Sequence, residues 1–190
     1  MGKINLLSIS TKPPKGLKKK DIKKETKKLA KELGELQYTM YAENKRSLLV
    51  VLQGMDASGK GGTIRKVFSE VNPMGIKVKG FKAPSKNELA HDYLWRVHQV
   101  TPAKGMIQVF DRSHYEDVLI TRVNGWVDDE TAYKRFEHIN AFEKMLDDCG
   151  TTVLKFYLHV SEKEQHKRFY ERLSIPEKRW KYSDDDLEKA

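Results

Sequence analysis

A chain of 190 residues is long enough for one domain with a sizeable core. Its single cysteine, Cys149, excludes an internal disulfide and suits a reducing compartment. No apolar run approaches the ~20 residues that span a bilayer, and MGKINLLSIS is too short in apolar residues for a secretory signal, so the expectation is a soluble, cytoplasmic protein with no membrane partner. The net charge of +9 is uneven: residues 1–31 hold eleven lysines against Asp21 and Glu25, and the remaining 159 residues balance. That arm, KPPKGLKKKDIKKETKKLAK, reads either as a solvated charged face or as an electrostatic collector for a polyanion.

Residues 1–20 form the basic arm, with Pro13 and Pro14 holding it extended. A helix is predicted from Asp21 to Glu43, where Ile22, Leu29, Leu33, Leu36 and Met40 recur at helical steps. SLLVVLQ, Ser47 to Gln53, is an apolar run of strand length, as in strands buried on both faces of a parallel sheet. A glycine-rich turn follows, then a helix from Lys60 to Val71, stopped by Asn72-Pro73. Ile76 to Phe81 is a second strand and Asn87 to Val100 a helix. MIQVF, Met106 to Phe110, is a third strand that ends in Asp111-Arg112. Helices are predicted over His114–Asn124 and Glu130–Cys149. TTVLKFYLHV, Thr151 to Val160, is a fourth strand, and Ser161 caps a last helix to about Leu173, with Glu164 in the capping-box position. Strands alternating with helices give an α/β fold with a parallel sheet and helices on both faces. The expected division is a core over 21–160 and a further module from 161 to 190.

Gly54-Met55-Asp56-Ala57-Ser58-Gly59-Lys60 has the spacing of a phosphate-binding loop (a P-loop). An apolar strand precedes it and a helix follows. Its backbone N–H groups and the helix start attract phosphate oxygens, and Lys60 adds a mobile charge. Such loops place Ser or Thr after the lysine to hold magnesium. Here Gly61 and Gly62 stand there, and Thr63 comes two residues late. A carboxylate inside the loop, Asp56, would repel phosphate without a cation between them. With Asp111, the acid at the end of the third strand, it forms a candidate magnesium pair, for which manganese could substitute. Lys82, Arg112 and Arg122 are candidates to neutralise charge on a transferring phosphoryl group. His91, His114 and His159 read as structural. Tyr93, Trp95 and Trp126 read as core aromatics or as platforms for a base.

GMDASGKGG, FDRSHYED and SIPEKRWKYSDDDL together resemble the family-2 polyphosphate kinases, P-loop kinases that move phosphate between inorganic polyphosphate and nucleotides. The resemblance runs from about Lys12 to the last residue, and Ala83–Gly105 resembles that family's connecting segment. It implies a P-loop kinase-like three-layer α/β/α fold with a helical lid. It maps the loop motif onto Gly54, Asp56, Gly59, Lys60, Gly61 and Gly62; with Ala57, Ser58 and Thr63 of the same loop, the glycines are the expected phosphate ligands, and Asp56, Lys60, Asp111 and Arg112 are the expected catalytic residues. The second motif covers Asp111, Arg112, Ser113 and Tyr115. The lid falls on Arg168, Arg172, Pro176, Lys178, Trp180, Lys181, Ser183 and Asp186, with Arg168, Arg172 and Lys181 as phosphate ligands. SHYEDV resembles the subgroup acting on nucleoside monophosphates as well as diphosphates, which places Tyr115, Glu116 and Asp117 near the nucleotide. Members of that family continue past Ala190, so the resemblance implies a chain that ends within its lid.

The expected partners are polyphosphate and AMP, ADP, ATP or their guanine equivalents, not nucleic acid, in a homo-oligomer (a dimer or tetramer). Two rivals share the loop: an ATP-dependent nucleoside monophosphate kinase, and a non-enzymatic polyanion-binding module. The missing Ser or Thr after Lys60 counts against the first. The lack of an interleaved basic–aromatic patch counts against the second.

Overall fold

The computed structural model describes residues 4–177. Four strands, β1 (Ser47–Gln53), β2 (Ile76–Gly80), β3 (Ile107–Asp111) and β4 (Thr151–Tyr157), form one sheet in the order β2-β3-β1-β4. All pairings are parallel, with Val51 beside Phe110 and Lys155, and Val109 beside Val78. Among the described residues seven α-helices connect and flank them: α1 (Lys19–Glu43), α2 (Lys60–Val67), α3 (Lys86–Leu89), α4 (Trp95–His98), α5 (Ile120–Val123), α6 (Asp129–Asp148) and α7 (Glu162–Ser174).

Alternation along the central strands builds two cores. Leu49, Val51 and Phe110 point to one face, where they meet Phe81, Val97, Phe142 and Leu146 from the β2 exit, α4 and α6. Val50, Leu52, Ile107 and Val109 point to the other and meet Leu33 and Met40 of α1 and Ile64 and Phe68 at α2. The expected three-layer α/β/α arrangement follows. The chain from β1 crosses to β2 on the far side of β3, and the chain from β3 crosses to β4 on the far side of β1. The exits of the two central strands therefore diverge, which opens a crevice at their carboxyl ends.

α1 packs close. A Cβ added at Gly34 would lie 2.5 Å from the Glu70 carbonyl oxygen, so only glycine lets the helix approach the end of the α2 segment. Asn44, in a left-handed conformation (φ 50°), ends α1 and turns the chain into β1.

Several boundaries depart from expectation. The helix predicted over 87–100 is two short helices. The Asp92 carboxylate accepts the Leu94 N–H at 2.9 Å, and that local turn outcompetes a continuous helix. The helix predicted over 114–124 begins as a tight 3-10 turn, His114–Asp117, capped by the Ser113 hydroxyl, and becomes α-helical only at Ile120. α2 stops at Val67 rather than Val71, and β4 at Tyr157 rather than Val160. Ser161 caps α7 by accepting the Glu164 N–H, but the Glu164 carboxylate turns to Arg168 at 2.8 Å rather than back to the cap. Among the described residues no helix is long and apolar enough to cross a membrane.

Candidate active site: a phosphate loop beside a buried-floored cavity

The loop between β1 and α2 carries the first constellation. Ala57 (φ 60°) and Gly59 (φ 100°) are both left-handed, which curls the chain over the start of α2. Glycine adopts that conformation freely, whereas alanine is strained there, and such strain concentrates at functional turns. The N–H groups of Lys60, Gly61 and Gly62 open α2 and have no intrahelical partner. A Cβ built on Gly61 or Gly62 would meet nothing within 4 Å. Packing therefore does not require those glycines, and the space beside them is open to a ligand. Thr63 is half-buried and donates its N–H to the Gly59 carbonyl at 2.9 Å.

Lys60 is buried, and its ammonium folds back onto its own loop, donating to the carbonyls of Gly54 at 2.8 Å and Met55 at 3.2 Å. Burial pulls its pKa below the ordinary lysine value, reinforced by the Arg112 guanidinium. Asp56, Asp111 and Glu116 act in the opposite sense.

β3 delivers the second constellation. Asp111 ends the strand opposite Leu52 of β1, so the phosphate loop and Asp111 leave neighbouring strands. Arg112 is left-handed (φ 63°) and donates its N–H to the Leu52 carbonyl at 3.1 Å. Its guanidinium reaches Asp56 at 2.5 Å and Glu116 at 3.8 Å. Desolvation opposes the Arg112 charge, but Asp56 and Glu116 outweigh it and raise the pKa. Burial lifts the Glu116 carboxyl above the usual carboxylate range, against the pull of Arg112 and a hydrogen bond from Gln53. Ser113 is fully buried and accepts from Gln53 at 3.2 Å, which pins this segment to β1.

The structure thus brings Asp56, Lys60, Asp111, Arg112 and Glu116 into one electrostatic cluster. Asp56 and Asp111 supply two carboxylates, and no group of three or more metal-ligating side chains occurs among the described residues. That donor set fits magnesium, which keeps several waters and takes one or two carboxylates alongside phosphate oxygens. In this arrangement Arg112 engages the Oδ1 oxygen of Asp56, so a metal there would share that carboxylate with Arg112 or displace it.

Beside the cluster lies a cavity of about 720 Å³ whose walls include Phe81, Lys82, Pro84, Tyr93, Arg112, Glu116, Asp117, Thr121 and Trp126. Asp117, expected at the nucleotide, lines this cavity and forms a buried ion pair with Arg96 at 3.3 Å. The Arg135 guanidinium donates to the Asp117 carbonyl at 2.9 Å. The pair is the floor of the cavity, which sequence reasoning missed because its partners lie 21 residues apart. Tyr115 does not line the cavity. Its hydroxyl donates to Glu143 at 2.9 Å and accepts from Lys155 at 3.1 Å, on the β4 side. Buried His114 lies 3.2 Å from the same Glu143, consistent with a structural role. Tyr93 and Trp126 wall the cavity and Trp95 stacks on His91 with ring centroids 4.0 Å apart. None of the three belongs to the buried core, so the core reading of these aromatics fails.

Two expected phosphate ligands are already occupied. Arg122 is bound to Asp129, with its Nε at 3.0 Å, and is no part of the cavity wall. Arg168, on α7, reaches under the phosphate loop and donates to the carbonyls of Ala57 at 3.0 Å and Ser58 at 2.9 Å. Arg172 lies on α7, with its side chain outside the description. Lys178, Trp180, Lys181, Ser183 and Asp186 also fall outside the described residues.

Comparison with known proteins gives the family. The family described as Polyphosphate kinase 2 (PPK2) matches residues 16–190. The AMP/ADP-polyphosphate phosphotransferase of Meiothermus ruber is 56% identical over 160 residues, covering 84% of this chain and 60% of the relative. The ADP-polyphosphate phosphotransferase of Rhodopseudomonas palustris is 45% identical over 168 residues, covering 82% and 58%. The crystal structure of polyphosphate kinase 2 from Arthrobacter aurescens TC1 superposes with a TM-score of 0.92 at 41% identity, covering 98% of this chain and 68% of that one. The chain spans about 60% of the length of the curated relatives named above. With the family model matching residues 16–190, a relative 56% identical and a solved structure of the same fold, the chain belongs to the polyphosphate kinase 2 family.

Proposed function

We propose that this chain carries the phosphoryl-transfer core of an enzyme that moves phosphate between inorganic polyphosphate and nucleoside mono- and diphosphates. The observation that carries the reading is the placement of a phosphate loop, Gly54–Lys60, against the Asp56–Arg112–Glu116 cluster at the mouth of a nucleotide-sized cavity. The relatives' names support the substrate class, with AMP and ADP acceptors in one and ADP in the other.

In-line phosphoryl transfer asks little covalent chemistry of a protein, so positioning and charge neutralisation dominate. The open N–H groups of α2 hold phosphate oxygens. Lys60 exchanges its own loop carbonyls for phosphate, and Arg112 turns from Asp56 to the transferring group. Asp56 and Asp111 would hold magnesium or manganese, which would supply further charge neutralisation. Lys82 at the cavity wall and Glu116 beneath Arg112 orient the acceptor. A cytoplasmic location and a homo-oligomeric state belong to the same reading.

The test is transfer by the 190-residue chain from polyphosphate to AMP or ADP with magnesium, beside Lys60→Ala and Asp56→Asn. Product that falls to background in both variants supports the proposal. Transfer from ATP to AMP with polyphosphate inert would replace it with a nucleoside monophosphate kinase.

A further inference from the structure

The first turns of α1 are exposed to solvent. Its buried or half-buried stripe begins at Thr26 and continues through Ala30, Leu33, Gly34, Gln37 and Met40, whereas every residue from Lys18 to Glu25 is exposed. Lysines recur in two rows at four-residue steps, Lys19-Lys23-Lys27-Lys31 and Lys20-Lys24-Lys28. At 3.6 residues per turn they occupy about half the helix surface. Asp21, Glu25 and Glu32 lie together on another sector. Like charges at this spacing destabilise a helix. Among the described residues only Lys28 of these seven has an ion-pair partner, Glu32 at 3.6 Å on the surface. Apart from that one pair, no ion pair among the described residues offsets the repulsion within the rows.

The helix also stands in the right place. Its end turns directly into β1, so it runs from the carboxyl edge of the sheet to the amino edge. Gly34 abuts Glu70. At ~1.5 Å per residue, α2 covers roughly 12 Å from Val67, just before that contact, up to Lys60, while α1 covers roughly 22 Å from Gly34 to Lys19. The free lysine turns therefore reach and pass the level of the phosphate loop.

We propose that the lysine face of α1 is a second subsite for inorganic polyphosphate, holding the part of a long chain that lies outside the phosphate loop. This rests on the substrate reading above and extends it to chain length: long polyphosphate engages both places, tripolyphosphate only the loop. A flexible polyanion without bases or sugars needs only point charges on a track, which lysine supplies. Residues 12–31 contain no aromatic side chain, so the stacking platforms that single-stranded nucleic acid uses are missing there.

The test is calorimetric binding of long-chain polyphosphate and of tripolyphosphate to the 190-residue chain, its Lys60→Ala variant, and a combined Lys19→Gln, Lys20→Gln, Lys23→Gln, Lys24→Gln variant. Glutamine keeps helix propensity, and circular dichroism checks the fold. We expect the quadruple variant to weaken long-chain binding on the order of tenfold at low salt, with tripolyphosphate affinity held within about twofold. Equal weakening of both ligands, no weakening of either, or wild-type binding of a DNA duplex as tight as that of long-chain polyphosphate overturns the proposal, the last in favour of a nucleic-acid partner. Long-chain binding that depends on the four lysines but not on Lys60, with tripolyphosphate unbound, would leave the subsite standing and remove the working phosphate loop.

Discussion

Glu116 sits where two demands conflict. Its carboxylate must be charged to hold Arg112, yet burial favours the neutral form and raises its pKa. A carboxyl whose folded pKa is raised binds more protons folded than unfolded, so its contribution to stability falls as pH rises from the ordinary carboxylate value through the raised one. Glu116→Gln removes that dependence. We expect the variant to gain thermal stability relative to wild type as pH climbs from below 4.5, the ordinary glutamate value, to neutrality; parallel unfolding temperatures across that range would refute it. Transfer activity should fall in the same variant, because Arg112 loses its second acid. Sequence alone singled out Asp56, Lys60, Asp111 and Arg112 because a strand, a glycine turn and an acid at a strand end carry their own context. It could not give the partners. Asp117 is placed near the nucleotide by resemblance alone, and its partners Arg96 and Arg135 come to it from other elements.

Among the elements, β1 was readable to the residue because burial on both faces leaves an unbroken apolar run. The segment from 87 to 100 misled because a single Asx-type turn at Asp92 defeats a good helical pattern. α1 shows a third case: its length was legible, but the need for Gly34 is a fact of tertiary approach. A methyl there meets the backbone of Glu70, which cannot rotate away. We expect Gly34→Ala to lose about 1–3 kcal/mol despite alanine's better helix propensity. Gly61→Ala, with open space around the added methyl, serves as the comparison in thermal unfolding. If both variants melted together, the close packing of α1 on the α2 segment would be wrong.

Across the whole molecule, two cores on opposite faces share the central strands β1 and β3. Phe110, fully buried and edge-on to Phe81 with centroids 4.9 Å apart, is on one of those strands. Phe110→Ala should cost about 3–5 kcal/mol and lower one cooperative transition rather than split it. A biphasic melt by calorimetry would mean that the two faces unfold separately. The layer order was legible from alternation, and the balance of charge from counting. The link between α7 and the phosphate loop was not, since Arg168 and Ala57 stand 111 residues apart. That link has a mechanical consequence. Arg168 grips two carbonyls of the loop while Glu164 braces its other side, and hydrogen bonds from a charged donor are worth about 1.5–3 kcal/mol each. Any force that tilts α7 must therefore either drag the peptide units of Ala57 and Ser58 with it or break that grip. The helix and the cradle that holds the phosphates are geared together: a tilt of one is a displacement of the other.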